Sequence, residues 1–98
     1  MHRTERVRYS WAVEEYCSVD GEIFDTSYWD TPAEALAMHR RVPGSRVVLV
    51  REVWDTETEN LQERAYAHVD ATGALAPYFD NGDRVPMHCH RAWHDATR

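Results

Sequence analysis

The sequence predicts an α+β two-layer sandwich: a mixed, mostly antiparallel sheet of four or five strands in ββαββ order, one helix on a face and a short C-terminal helix. Three stretches carry that expectation. Arg46–Trp54 (RVVLVREVW) has four β-branched residues in nine and apolar groups at both parities from Val47 to Val50. A strand apolar on both faces belongs in the interior of a sheet. Asp20-Gly21 sits between two alternating stretches, the strongest short hairpin signal. Thr31-Pro32 with Glu34 opens a helix, and Pro43-Gly44 closes it.

Taken in order, residues 1–6 are polar and expected to fray. A first strand runs from Val7 to about Val19, with Val7, Tyr9, Trp11 and Val13 on one side and Arg8, Ser10 and Glu14 on the other. A second strand covers Glu22 to Trp29. With Asp20-Gly21 as a two-residue turn, Cys17 meets Phe24 and Val13 meets Tyr28 on the core side. Tyr16 then meets Asp25, Glu14 meets Ser27 and Ala12 meets Trp29 on the opposite side.

The helix spans 32–42, with Ala33, Leu36, Ala37 and Arg40 as its inner stripe and Met38 beside it. A crossover through this helix leaves the second and third strands parallel. Asp55–Asn60 is an acidic loop, and the fourth strand starts at Leu61 or Glu63 and ends at Val69. Alternation puts Ala65, Ala67 and Val69 on one side and Tyr66 and His68 on the other. Ala74–Ala76 is a short fifth strand stopped by Pro77, and Tyr78-Phe79 anchors the chain before a loop at 80–83. Pro86 opens a terminal helix to about Ala96, with Cys89, Ala92 and Trp93 as its apolar side and 96–98 fraying.

Ninety-eight residues with 43% apolar content make a single domain, 1–98, with enough core to fold without disulfides or metal. No apolar run approaches the ~20 residues of a membrane helix, and the first residues lack the apolar segment of a signal peptide. A cytoplasmic protein with Cys17 and Cys89 reduced is the expectation. The net charge of −6 disfavours direct binding to a phosphate backbone. All 11 basic residues are arginine, which excludes chemistry that needs a lysine, such as Schiff bases and Walker-type loops. With one isoleucine and two asparagines, that bias points to a GC-rich coding genome.

Three groups could carry chemistry. His88, His90 and His94 flank Cys89, and His90 and His94 share a helix face as zinc ligands often do. A third ligand would come from His68 or Cys17, but no acidic residue sits between the pair as in the zinc protease pattern. The carboxylates around the hairpin (Glu14, Glu15, Asp20, Glu22, Asp25) and in the loop (Asp55, Glu57, Glu59) could hold magnesium, but they lack a spaced metal-loop pattern. Neither cysteine sits in a nucleophile motif. No cofactor is expected, and no catalytic constellation emerges.

The aromatic surplus is more telling. Four tryptophans, five tyrosines and two phenylalanines exceed what so small a core buries easily. In the two-residue-turn register, Trp29 and Tyr16 project from the sheet face opposite the helix, with Arg8 and Glu14 at the margin. Tryptophan, tyrosine and arginine are the residues enriched at binding hot spots.

The segment Tyr78-Phe79-Asp80-Asn81-Gly82-Asp83-Arg84-Val85-Pro86, after a body containing Thr-Pro-Ala-Glu-Ala-Leu-Ala, resembles small uncharacterised orphan proteins of actinobacteria and their phages, mycobacteriophages among them. That resemblance implies a small accessory protein that binds a host protein, and it carries over no catalytic residue. The expected function is therefore non-enzymatic protein binding, with a homodimer as one form. Metal binding by the histidine cluster is one alternative. Acidic mimicry of nucleic acid, blocking a DNA-binding protein, is the other.

Overall fold

A computed structural model describes residues 5–78 and 84–98. The elements are β1 (Glu5–Tyr16), β2 (Ile23–Trp29), α1 (Pro32–Arg41), β3 (Arg46–Asp55), β4 (Asn60–Val69), β5 (Leu75–Pro77) and α2 (Met87–Thr97). The five strands form one sheet in the order β2-β1-β3-β4-β5. Both helices pack on the same face, so the fold is α+β with two layers. No helix among the described residues is long and apolar enough to cross a membrane.

The doubly apolar strand is the central one. β3 pairs with β1 from Glu5 opposite Asp55 to Glu14 opposite Arg46, and with β4 from Val48 opposite His68 to Asp55 opposite Asn60. Its four consecutive apolar residues are all buried, alternating between the two faces. Val47 and Leu49 belong to the core under the helices, whereas Val48 and Val50 join Ala12 on the other side.

β2 and β3 do run in the same direction, as the crossover requires, but they are not neighbours. β1 lies between them, antiparallel to both, and every ladder in the sheet is antiparallel rather than mixed. The hairpin explains this. It occupies one edge of β1, and the chain returning from α1 takes the other.

The hairpin loop is longer than the Asp20-Gly21 signal implies. The Cys17 amide donates to the Glu22 carbonyl (2.8 Å), and the Gly21 amide donates to the Cys17 carbonyl (2.8 Å). Residues 18–21 thus form a four-residue loop, with Gly21 at φ +73°, where a side chain would be strained. Asp20 accepts the Glu22 amide (2.9 Å) and so stabilises this loop. A bulge between Glu15 and Tyr16 adds a further slip. Trp29 therefore lies opposite Trp11, and Tyr28 opposite Ala12. One step of register moves every side chain of β2 to the other face. Trp29 belongs with the helix-side core, half-buried against it, and is not on the open face.

Two other expectations change for similar reasons. A bulge between Leu49 and Val50 breaks the alternation of β4, which brings Tyr66 to the helix side beside Ala67. The buried positions of α1 are Pro32 and Ala35, with Leu36 and Met38 packed beside them, while Ala33, Ala37 and Arg40 face outward. Alanine at 33, 35 and 37 makes neighbouring stripes nearly equivalent in sequence. The helix start is as expected: the Glu34 amide donates to Thr31 Oγ1 (3.3 Å), a cap worth about 1 kcal/mol. Glu5 and Arg6 lie in β1 and Ala96 and Thr97 in α2, whereas residues 1–4 lie outside the described residues.

The C-terminal helix completes the core. Cys89 and Trp93 are its buried residues. The Trp93 indole stacks on Trp11 with centroids 5.8 Å apart and donates from Nε1 to the Gly73 carbonyl (2.8 Å). Tyr66 secures the approach to α2: its hydroxyl donates to the Arg84 carbonyl (3.0 Å) and accepts the Arg84 amide (3.1 Å). Phe79 and the 80–83 loop lie outside the described residues.

Leu49→Ala opens a cavity beneath the helices and should cost about 3 kcal/mol. Val48→Ala removes less volume on the face that has no helix and should cost about 2 kcal/mol. Urea midpoints measure both, and unchanged midpoints would mean that β3 is not the centre of the core.

Candidate functional site

The helix-free face is built from the even-numbered positions of β1 and the residues opposite them. Its floor is small and apolar, with Ala12, Val48 and Val50 at most 6% exposed. Among the described residues no helix covers them. At one end the cover is a chain of rings and charges. Tyr78 packs against the floor and lies against His68 with centroids 4.8 Å apart. The Arg46 guanidinium sits 4.9 Å from the Tyr16 ring centroid, and the Tyr16 hydroxyl donates to Glu14 (3.0 Å). The Arg46 guanidinium also hydrogen-bonds Tyr78, which holds it more firmly protonated. Burial, and then the Glu14 carboxylate, raise the Tyr16 phenol above its ordinary pKa.

In the middle, Tyr28 stands over the sheet from the β2 side. Its phenol is raised first by burial and then by the charge and hydrogen bond of Glu63, which belongs to β4, beyond β1 and β3. At the far end Trp54 lies between Arg6 and Leu61 across the ladders. Trp54 is 37% and Leu61 51% exposed, and they line an open cleft with Arg6, Arg8 and Glu52. Arg8 pairs with Asp30 (2.7 Å), and Ser10 Oγ donates to Glu52 (3.1 Å).

Tyr16, Arg8 and Glu14 thus share the face on which the sequence placed them, and Trp29 does not. The Trp29 indole donates to Ser27 Oγ (3.0 Å) and lines a shallow groove with Ala37 and Met38 on the helix side. Sequence reasoning missed Tyr28, because the register was one residue out. It also missed Trp54 and Leu61, although their parity within the strands would have placed them here.

The histidines do not converge. His88 lies edge-on to Tyr9 (centroids 5.8 Å apart), with its Nε2 3.5 Å from Cys89 Sγ. His90 and His94 do line one groove, with Trp93 and the 72–75 turn. His68 is on the other face, against Tyr78, and Cys17 is in the hairpin. Among the described residues no three His, Cys, Asp or Glu side chains come together as a metal site.

The carboxylates are divided as well. Asp55 Oδ1 accepts the Glu57 amide (2.9 Å), forming its own turn. That turn is level with the start of β1, whereas the hairpin acids lie at or beyond its other end, so the two groups sit at opposite ends of the sheet.

Both cysteines are free thiols. Cys89 is 2% exposed, and burial pushes it up to about 11, the opposite of what a nucleophile needs. At pH 8, iodoacetamide should therefore modify Cys17 and spare Cys89 until the protein unfolds, as mass spectrometry of peptides would show. The raised pKa means that the fold binds this proton more tightly than the unfolded chain. Its contribution to stability is full below 9.0 and lost as pH rises through about 11. No protein-family model, no curated protein and no solved structure matches this chain.

Proposed function

We propose that this protein is a non-enzymatic, cytoplasmic binding module that docks a partner protein on the helix-free face of its sheet. One observation carries the reading. One face of the sheet has a helical layer, and the other presents Tyr16, Tyr28, Trp54, Leu61 and Tyr78 over a small apolar floor. Arg8, Arg46, Glu14, Glu52 and Glu63 stand among them. Aromatic anchors within a polar rim are the usual anatomy of an interface, and rigid tyrosines and tryptophans lose little entropy on binding. The resemblance to actinobacterial and phage accessory proteins agrees with a host protein as the partner. The face is mixed in charge, and the two acidic groups lie apart, which favours a protein surface over a mimic of evenly spaced phosphates.

Capture of a partner by the immobilised protein, followed by titration, tests this. Trp54→Ala and Tyr16→Ala should each weaken the complex by at least about 2 kcal/mol, roughly 30-fold, with the thermal midpoint little changed. Arg40→Ala, on the outer side of α1, should leave affinity unchanged. The reverse pattern would place the interface on the helices and overturn the reading.

A further inference from the structure

Charges on the central ladder are sorted by sign. β3 carries Arg51-Glu52 and β4 carries Glu63-Arg64, and the register sets Glu52 opposite Glu63 and Arg51 opposite Arg64. Like charges directly opposed on neighbouring strands are destabilising. On the helix-free face the fold itself meets the acidic pair: Arg8 stands opposite Glu52, Ser10 Oγ donates to Glu52 (3.1 Å), and Tyr28 hydrogen-bonds Glu63. On the helix side the arginine pair meets rings. The guanidinium carbons of Arg64 and Arg51 lie 5.3 Å and 6.0 Å from the centroid of Tyr66. Tyr9 stands opposite Arg51 on β1, edge-on both to Tyr66 (5.8 Å) and to His88 at the start of α2 (5.8 Å). One pleat along the ladders in either direction the residues are Val7, Val53 and Gln62, or Trp11 and Leu49, all uncharged. The first turn of α2 holds no acidic residue. The described groups around Arg51 are thus aromatic rings and a second guanidinium, with no carboxylate among them.

From this arrangement we infer that Arg51 and Arg64, backed by the Tyr66 ring, form a binding site for a phosphate monoester. Two guanidinium forks held on one ring match a group with close to two negative charges and three terminal oxygens. A carboxylate would offset only one of the cations. The ring positions the guanidiniums without neutralising them, and each keeps a planar fork of donors for an oxyanion. The sorting of charge also explains how a chain of net charge −6 presents such a site. The acids adjacent in sequence, Glu52 and Glu63, belong to the opposite face. The site lies on the helix side of the sheet, so the inference does not rest on the docking face.

Calorimetric titration of the full chain tests this, with inorganic phosphate and with a short phosphoserine peptide as probes. Ionic strength is held constant, at about pH 7.5, where a monoester carries nearly two charges. At least one probe should bind saturably, one per chain, at about millimolar concentration or below. The unphosphorylated peptide should not bind. Equal affinity for the two probes supports the site with a small phosphorylated molecule as its ligand. Tenfold tighter binding of the peptide supports it with a phosphorylated protein as the source. Arg51→Gln and Arg64→Gln should each weaken binding at least tenfold, and Arg51→Lys, which keeps the charge but loses the fork, by less. Arg40→Gln removes the same charge from the outer side of α1 and should change nothing. Phosphate should also raise the thermal midpoint of the native chain more than that of Arg51→Gln. Absence of saturable binding overturns the inference. So does binding that survives Arg51→Gln, or that Arg40→Gln weakens equally. Should Arg51→Gln fail to fold, Arg64→Gln at the exposed member of the pair decides. Trp54→Ala and Tyr16→Ala should leave phosphate binding intact, so failure here is distinguishable from failure of the docking face.

Discussion

The structure depends on a single strand being apolar on both sides. Val47 and Leu49 need cover from one direction, Val48 and Val50 from the other, and β1 and β4 must satisfy both edges. On the helix side the cover is conventional: Ala35 from α1, and Cys89 and Trp93 from α2. On the far side no second layer is present among the described residues, and long side chains cover the floor instead. Tyr78 packs on the floor, while Arg46 joins it to Tyr16. A sheet closed in this way keeps its floor dry and still presents aromatic surface, because a ring lying over an alanine or valine has its other face in water.

This arrangement explains what could be read from the chain and what could not. The interior strand, the helix with its cap, the short fifth strand and the apolar side of the terminal helix all rest on local patterns, and local patterns are visible in sequence. Apart from the mixed sheet, which is an error of strand order, the errors are errors of phase. Asp20-Gly21 is a true turn signal, but the hydrogen bonds of Cys17 with Glu22 and Gly21 close a longer loop, and the shift exchanges Trp29 for Tyr28. Tyr66 changes sides through a bulge that no residue type announces. Ala33, Ala35 and Ala37 offer three similar stripes, and only packing selects Ala35. The candidate site was legible as a kind of surface, aromatic and opposite the helix, and only partly legible as a list of residues. Tyr16, Arg8 and Glu14 share that face, while Trp54 and Leu61 fall there by their pairing with Arg6 across the sheet.

The order in which the chain leaves the ribosome gives the terminal helix a further meaning. The three long ladders are complete once Val69 has emerged, but the strip beginning at Trp11 lacks its cover until Trp93 arrives and reaches back to Gly73. The helix Met87–Thr97 therefore closes a surface laid down by β1. During synthesis the nascent sheet carries two unshielded aromatic faces, a state in which wrong association competes with closure. Any event that removes or blocks the terminal helix, such as a premature stop or a bulky C-terminal fusion packed against it, returns the finished protein to that half-covered condition.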